Sequence, residues 1–197
     1  MRLALRALAL AAACALATPL AGRAQSPFDA SRFALELRAG AAIGQVTASA
    51  GGAEWRPGPA WSAGASVAVY RFAEVTLGYG RSGFGCETGF CESNAVRFTA
   101  AGLDAGVRVQ HGVGWARVGA VRHSLRSRWT DAGQARSGSS KAAFGWEAGG
   151  GVAFALSPSF QLTPGLRYAR VPAAFDDGPA DSAGYLTGDL GVRFTPR

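Results

Sequence analysis

Residues 184–194 read GYLTGDLGVRF. Leu186, Gly188, Leu190, Val192 and Phe194 share one parity, and Tyr185, Thr187, Asp189, Gly191 and Arg193 share the other. A period of two is that of a β-strand with one apolar face. The second face sets an acid and a base on the same side, with a glycine between them. In a water-soluble sheet that face is solvated. In a small closed sheet surrounded by lipid it is the inside.

The same alternation recurs upstream. Apolar residues alternate with polar or glycine residues over 33–45, 61–70, 74–81, 96–109, 113–124, 142–156 and 159–170, which predicts eight strands with the last at 184–194. In the fourth, Val96 and Phe98 sit off the parity of Leu103, Ala105, Val107 and Val109, which predicts a bulge near 100–102. In the seventh, Pro164 conflicts with the ladder because it has no N–H to donate. The connections alternate in length. Polar segments at 47–60, 82–94, 125–141 and 172–183 are long, whereas 71–73, 110–112 and 157–158 are short. In an antiparallel meander this places every long loop at one end. The pattern predicts an all-β, eight-stranded, antiparallel up-and-down transmembrane β-barrel with four long external loops and three short periplasmic turns.

The charged residues follow the second parity. Glu36, Glu74, Asp104, Glu147 and Asp189 fall on it, and so do Arg38, Arg108, Arg117, Arg167 and Arg193. A buried charge without a partner is very costly, so a charged interior requires a matched set of this kind. Gly40, Gly78, Gly106, Gly149 and Gly191 are interleaved with these charges. Glycine weakens a strand on a wet outer face, but it leaves room for long charged side chains inside a narrow barrel. Trp61, Tyr79, Phe98, Trp115, Phe144, Trp146, Phe160, Tyr168 and Phe194 lie mostly toward strand ends, which suggests interfacial aromatic girdles.

The first 24 residues have the form of a secretory signal peptide: Arg2 and Arg6, then an apolar run over 7–17, then Gly22 and Ala24 before a cut at Gln25. The run is shorter than the ~20 residues a spanning helix requires. The expected organisation is therefore a signal peptide at 1–24 and one β-barrel domain at 25–197. Losing Arg2, Arg6 and Arg23 takes the formal charge from +7 to +4. Export, and the lack of a basic cluster interleaved with aromatics, argue against nucleic acid as a partner. Cys14 leaves with the signal. Cys86 and Cys91 remain, five apart, and in an oxidising compartment they predict a local disulfide. His111 and His123 stand far apart, so no metal or other cofactor is expected.

With its GVRF ending, its FGWEAGGGVAFALS strand and its alternating connections, the chain resembles the small eight-stranded outer-membrane barrels of Gram-negative bacteria: the OmpA membrane domain, OmpX and the Ail-type adhesion proteins. The resemblance runs from about Phe33 to Phe194. It departs from the common aromatic last residue, because Thr195, Pro196 and Arg197 follow Phe194. It implies an outer-membrane location and a structural or surface-adhesion role, in which the barrel anchors the chain and the loops work. The expected partners are outer-membrane lipids, lipopolysaccharide and an extracellular protein, and the expected state is a monomer. Arg122, Arg126, Arg128, Arg136 and Lys141 are the candidates for contact with lipopolysaccharide phosphates.

Three other functions compete. A lipid A-modifying enzyme requires a nucleophile and a base on one face. His123 and Ser124 are adjacent, however, and so point to opposite faces of a strand, and no acid is placed to complete a triad with Ser127. No catalytic residue is therefore assigned. A small-solute channel requires an open interior, which ten paired charges would fill. A soluble lipocalin-like carrier would turn the apolar parity inward.

Overall fold

The computed structural model describes residues 33–47, 55–86, 96–131, 133–173 and 181–196. Every regular element among them is a strand: β1 (Phe33–Thr47), β2 (Trp55–Tyr70), β3 (Ala73–Cys86), β4 (Val96–His111), β5 (Gly114–Asp131), β6 (Gln134–Ser139), β7 (Ala143–Val152), β8 (Phe154–Ala155), β9 (Phe160–Ala173) and β10 (Asp181–Phe194). They form one antiparallel sheet. β10 pairs with β1 on one side and with β9 on the other, so the pairing runs β10–β1–β2–β3–β4–β5–β7–β9 and returns to β10. Ring closure pairs the backbone groups that an open sheet would leave at its edges.

The expected eight-stranded architecture with four long loops is corrected: the sheet has ten strands. Two local causes account for the difference. The expected strand 142–156 is split into β7 and β8 at Ala153. The β7–β9 register ends at Gly151↔Gly165 and the β8–β9 register resumes at Phe154↔Leu162, so the gap brackets Pro164. Proline has no N–H to offer the ladder there, and Ala153 donates its own N–H to Val113 O at 2.7 Å. The second cause is the segment expected to be a long loop at 125–141. β5 continues through it to Asp131, and β6 folds back on it from Asp131↔Gln134 to Arg126↔Ser139. Gly133, at φ 81°, occupies the left-handed region in the turn between them, where a glycine carries no steric penalty.

Other boundaries also move. β2 begins at Trp55, β3 runs on to Cys86, and β10 begins at Asp181, so the connections expected at 47–60, 82–94 and 172–183 are shorter than anticipated. The bulge expected near 100–102 is absent, since β4 keeps one register with β3 from Val96↔Cys86 to Ala73↔Val109. Register shifts occur in the β2–β3 pair instead, between Pro57 and Ala60 and between Ala68 and Tyr70.

The two faces differ sharply. Large apolar side chains are exposed around the outside, among them Leu37 at 67 %, Leu77 at 60 %, Val118 at 62 %, Phe144 at 72 %, Leu156 at 63 % and Leu190 at 51 %. The interior divides along its length. Toward the short-turn end it is charged. Toward the other end it is apolar, where Phe84, Ala100, Val121, Leu125, Ala169, Val171, Ala173, Ala183 and Tyr185 pack together with Phe98 and Val46 at their margin. Val96 and Phe98 therefore lie on the inward parity of an unbroken strand, within an interior that changes character with depth.

Candidate functional site: a charged interior and an exposed basic face

The ten charged residues singled out by parity all point inward, and the structure brings them together in three groups. In the largest, Glu36 and Arg38 of β1 meet Arg108 of β4, Arg167 of β9 and Asp189 of β10. Arg38 Nη2 lies 2.8 Å from Glu36 Oε1, and its Nη1 lies 2.7 Å from Asp189 Oδ1. Arg108 Nη1 donates to both Glu36 oxygens at 3.2 Å. Arg167 reaches Asp189 Oδ2 at 2.7 Å from Nη2 and donates to Ser62 Oγ at 3.1 Å. Thr163 Oγ1 donates to Glu36 Oε1 at 2.7 Å. In the second group Arg117 bridges Asp104 and Glu147, lying 3.0 Å from Glu147 Oε1. The third is the pair Arg193–Glu74 at 2.6 Å. Charge-assisted bonds of this length are the strong ones, and shared partners explain how ten ionised groups coexist away from water.

Local sequence makes room for them. A Cβ built on Gly78 would meet the Asp104 carboxylate at 2.9 Å, and one on Gly149 would meet Arg167 Cγ at 2.7 Å. One on Gly191 would meet Arg38 Cγ at 3.1 Å and Glu36 Oε1 at 3.3 Å. Gly40 and Gly106 differ: their nearest neighbours are the backbones of adjoining strands rather than charged side chains.

Trp115 is corrected from its expected place in an aromatic girdle. It is buried in the interior, with the guanidinium carbons of Arg38 and Arg108 at 4.6 and 4.9 Å from its ring centroid. Its indole N–H donates to Val152 O at 3.1 Å. Its odd number, shared with Arg117, was the available signal. Trp61, Tyr79, Phe144, Trp146 and Phe160 do face outward.

Above the charges, Phe84 stacks on Phe98 at 5.8 Å and on Tyr185 at 5.7 Å. Tyr185 OH and His123 Nδ1 are 2.5 Å apart. His123 is thus engaged by a tyrosine, while Ser124 lies on the other face and Ser127 donates to Gly138 O at 3.4 Å. His111 is exposed at the β4–β5 turn. Among the described residues no group of three or more His, Cys, Asp or Glu is placed to hold a metal ion. Cys86 ends β3, and Cys91 lies outside the described residues, so their expected pairing does too.

The five loop cations expected to act together separate. Arg122, Arg126 and Arg128 project from the outer face of β5, all exposed. Arg136, exposed on β6, stands opposite Trp129 in the register, and so on the other face of the hairpin from Arg126 and Arg128. Lys141 is exposed between β6 and β7.

The sequence matches no protein-family model and no curated protein sequence. Its fold is similar to solved structures of small outer-membrane proteins, with differences in strand count and detail. Neisserial surface protein A aligns with a TM-score of 0.56 at 17 % identity, covering 84 % of this chain and 98 % of that one. Ail, the attachment invasion locus protein of Yersinia pestis, aligns in its complex with the heparin analogue sucrose octasulfate with a TM-score of 0.51 at 15 % identity, covering 83 % of this chain and 99 % of that one.

Proposed function

We propose that the chain is a non-enzymatic outer-membrane surface protein, anchored by its closed sheet and presenting the end opposite the short turns for interaction. The observation that carries this reading is the inverted distribution of polarity. Residues that a water-soluble sheet would bury stand exposed around the ring, and residues it would expose are paired inside. Exposed large apolar residues stand on nearly every strand of the ring, a belt of a kind that soluble monomers rarely present. Hydrocarbon accepts that belt, and closure meets the bilayer's demand that backbone groups be satisfied internally. The filled interior, ion-paired in one half and aromatic in the other, supports an anchoring role over conduction. The engagement of His123 by Tyr185 supports it over hydrolysis. The working partner is then an extracellular protein or surface lipid, and the protein acts as a monomer.

Orientation gives the test. A short epitope inserted at Gly133, in the β5–β6 turn, is expected to be detected by antibody on intact cells. The same epitope at Gly112, in the β4–β5 turn, is expected to be detected only after permeabilisation. Both glycines have positive φ and no atom within 4 Å of an added Cβ, so both turns have room for an insertion. Equal detection of the two on intact cells, or of neither, contradicts the reading.

A further inference from the structure

We infer that the boundary between the charged and the apolar halves of the interior is a proton-binding site, in which one water molecule joins His123 to Glu147 and lets the pair take up a single shared proton. The inference goes beyond the surface role proposed above and holds whichever partner that surface meets. The imidazole is fixed in place. Its Nδ1 lies 2.5 Å from Tyr185 OH, and the two rings are nearly parallel, at 16°. Gly102 stands opposite His123 in the register. A Cβ on Gly102 would meet His123 Cδ2 at 2.8 Å, so glycine is what lets the ring lie against β4. The other ring nitrogen, Nε2, is buried and has no hydrogen-bond partner among the described residues. The same holds for Glu147 Oε1, which lies 3.0 Å from Arg117 Nη2 without accepting a hydrogen bond. Buried polar atoms left unsatisfied are costly. Both residues line one cavity of about 20 Å³, above the roughly 10–15 Å³ that a water molecule needs.

The charges around the cavity favour a proton there. Its titratable and charged groups are Asp104 of β4, His123 of β5, Glu147 of β7, Arg167 of β9 and Tyr185 of β10, and β1, β2 and β3 supply none to it. Arg117 of β5 is the common cation of Asp104 and Glu147. Two carboxylates therefore share one guanidinium beside His123. Arg167 gives its acid contacts to Asp189, at 2.8 Å from Nε and 2.7 Å from Nη2. The local surplus of negative charge is what an added proton neutralises. Nε2 faces the carboxylate side and keeps the proton of the neutral ring, while Nδ1 accepts from the Tyr185 hydroxyl. Nε2–H donates to the water, and the water donates to Glu147 Oε1. One proton taken from solvent makes the imidazolium, in which both ring nitrogens donate. The Tyr185 oxygen then accepts from Nδ1–H and turns its own O–H away. Tyr185 also stacks on Phe84 at 5.7 Å, so the proton is taken up where the aromatic packing of the apolar half begins.

The test uses the full mature chain in detergent micelles with isotope-labelled histidine. The chain has two histidines, so NMR of the ring nitrogens gives two sets of signals, and H111Q assigns them. His123 is expected to be the Nε2–H tautomer at neutral pH, with a cross-peak from that proton to water. In E147Q the imidazolium is expected to need about tenfold more acid to form, because a carboxylate within about 6 Å favours the charged ring by that factor or more. In Y185F, Nδ1 loses its donor, and the tautomer preference is expected to weaken. A parent with the proton on Nδ1, or without the cross-peak to water, overturns the inference. So does a His123 titration that E147Q leaves unchanged. Slower migration after heating on an SDS gel checks the fold of each variant. Where E147Q does not fold, Y185F decides: a tautomer preference equal to the parent's overturns the inference.

Discussion

Replacing Asp189 by Ala is expected to destabilise the folded chain by about 3–5 kcal/mol, the range for removing one partner from a buried ionic cluster. Asp189 has no exposed side-chain surface, and it holds two guanidiniums, Arg38 and Arg167, each at 2.7 Å. Its loss leaves Arg38 with Glu36, a carboxylate already shared with Arg108, and leaves Arg167 without an acid. Arg167 then has no carboxylate within ion-pair distance unless the network rearranges. Asp189→Asn retains the shape and two polar atoms and should fall between parent and Ala variant. Urea unfolding of the protein in detergent micelles, followed by tryptophan fluorescence, reports the change, because Trp115 packs on two members of this network. A shift below about 1 kcal/mol would mean that the cluster is hydrated and contributes little, as exposed ion pairs do.

Leu77→Arg is the second large effect, and it acts from the opposite face. Leu77 is 60 % exposed in the middle of β3, between Ala65 of β2 and Ala105 of β4. Against water this substitution is nearly neutral, within about 0.5 kcal/mol, as for most surface changes. Against hydrocarbon an arginine near the midplane costs about 2–4 kcal/mol. Unfolding in lipid vesicles separates the two cases, and the bilayer value is expected. No described carboxylate projects from the outer faces of β2, β3 or β4 to receive the new charge, so the penalty is not offset locally.

Much of this arrangement was legible in the sequence because a period of two carries both faces at once. From Tyr185 to Phe194 the alternation assigns every side chain correctly to inside or outside, and the same parity collects the ten interior charges. Three features escaped it. β6 reads QARSGS, and a strand exposed on both faces in water needs no apolar alternation, so the periodicity is silent there. The parity of Val96 and Phe98 predicts a bulge near 100–102 only if the interior is polar throughout. They lie instead where it turns apolar, and only the packing of Phe84, Phe98 and Tyr185 reveals the change. Arg81 and Arg97 are each the one Arg, Lys, Asp or Glu on the outer parity of their strand. Their membership in a basic surface depends on the register that sets Arg97 against Arg128 and Arg81 beside Ala101. Pro164 shows the reverse case: the conflict is visible in the sequence, and its consequence, the gap between β7 and β8, follows from one missing N–H.

The central claim is that this closed sheet faces lipid outside and pairs its charges inside. Fractionation of cells expressing the untagged mature protein, with unheated and heated samples compared on SDS gels, tests it most directly. Recovery in the outer-membrane fraction, with a faster-migrating unheated band that slows on boiling, is the predicted result. A protein that stays in the soluble fraction without detergent, and migrates identically before and after heating, would contradict it.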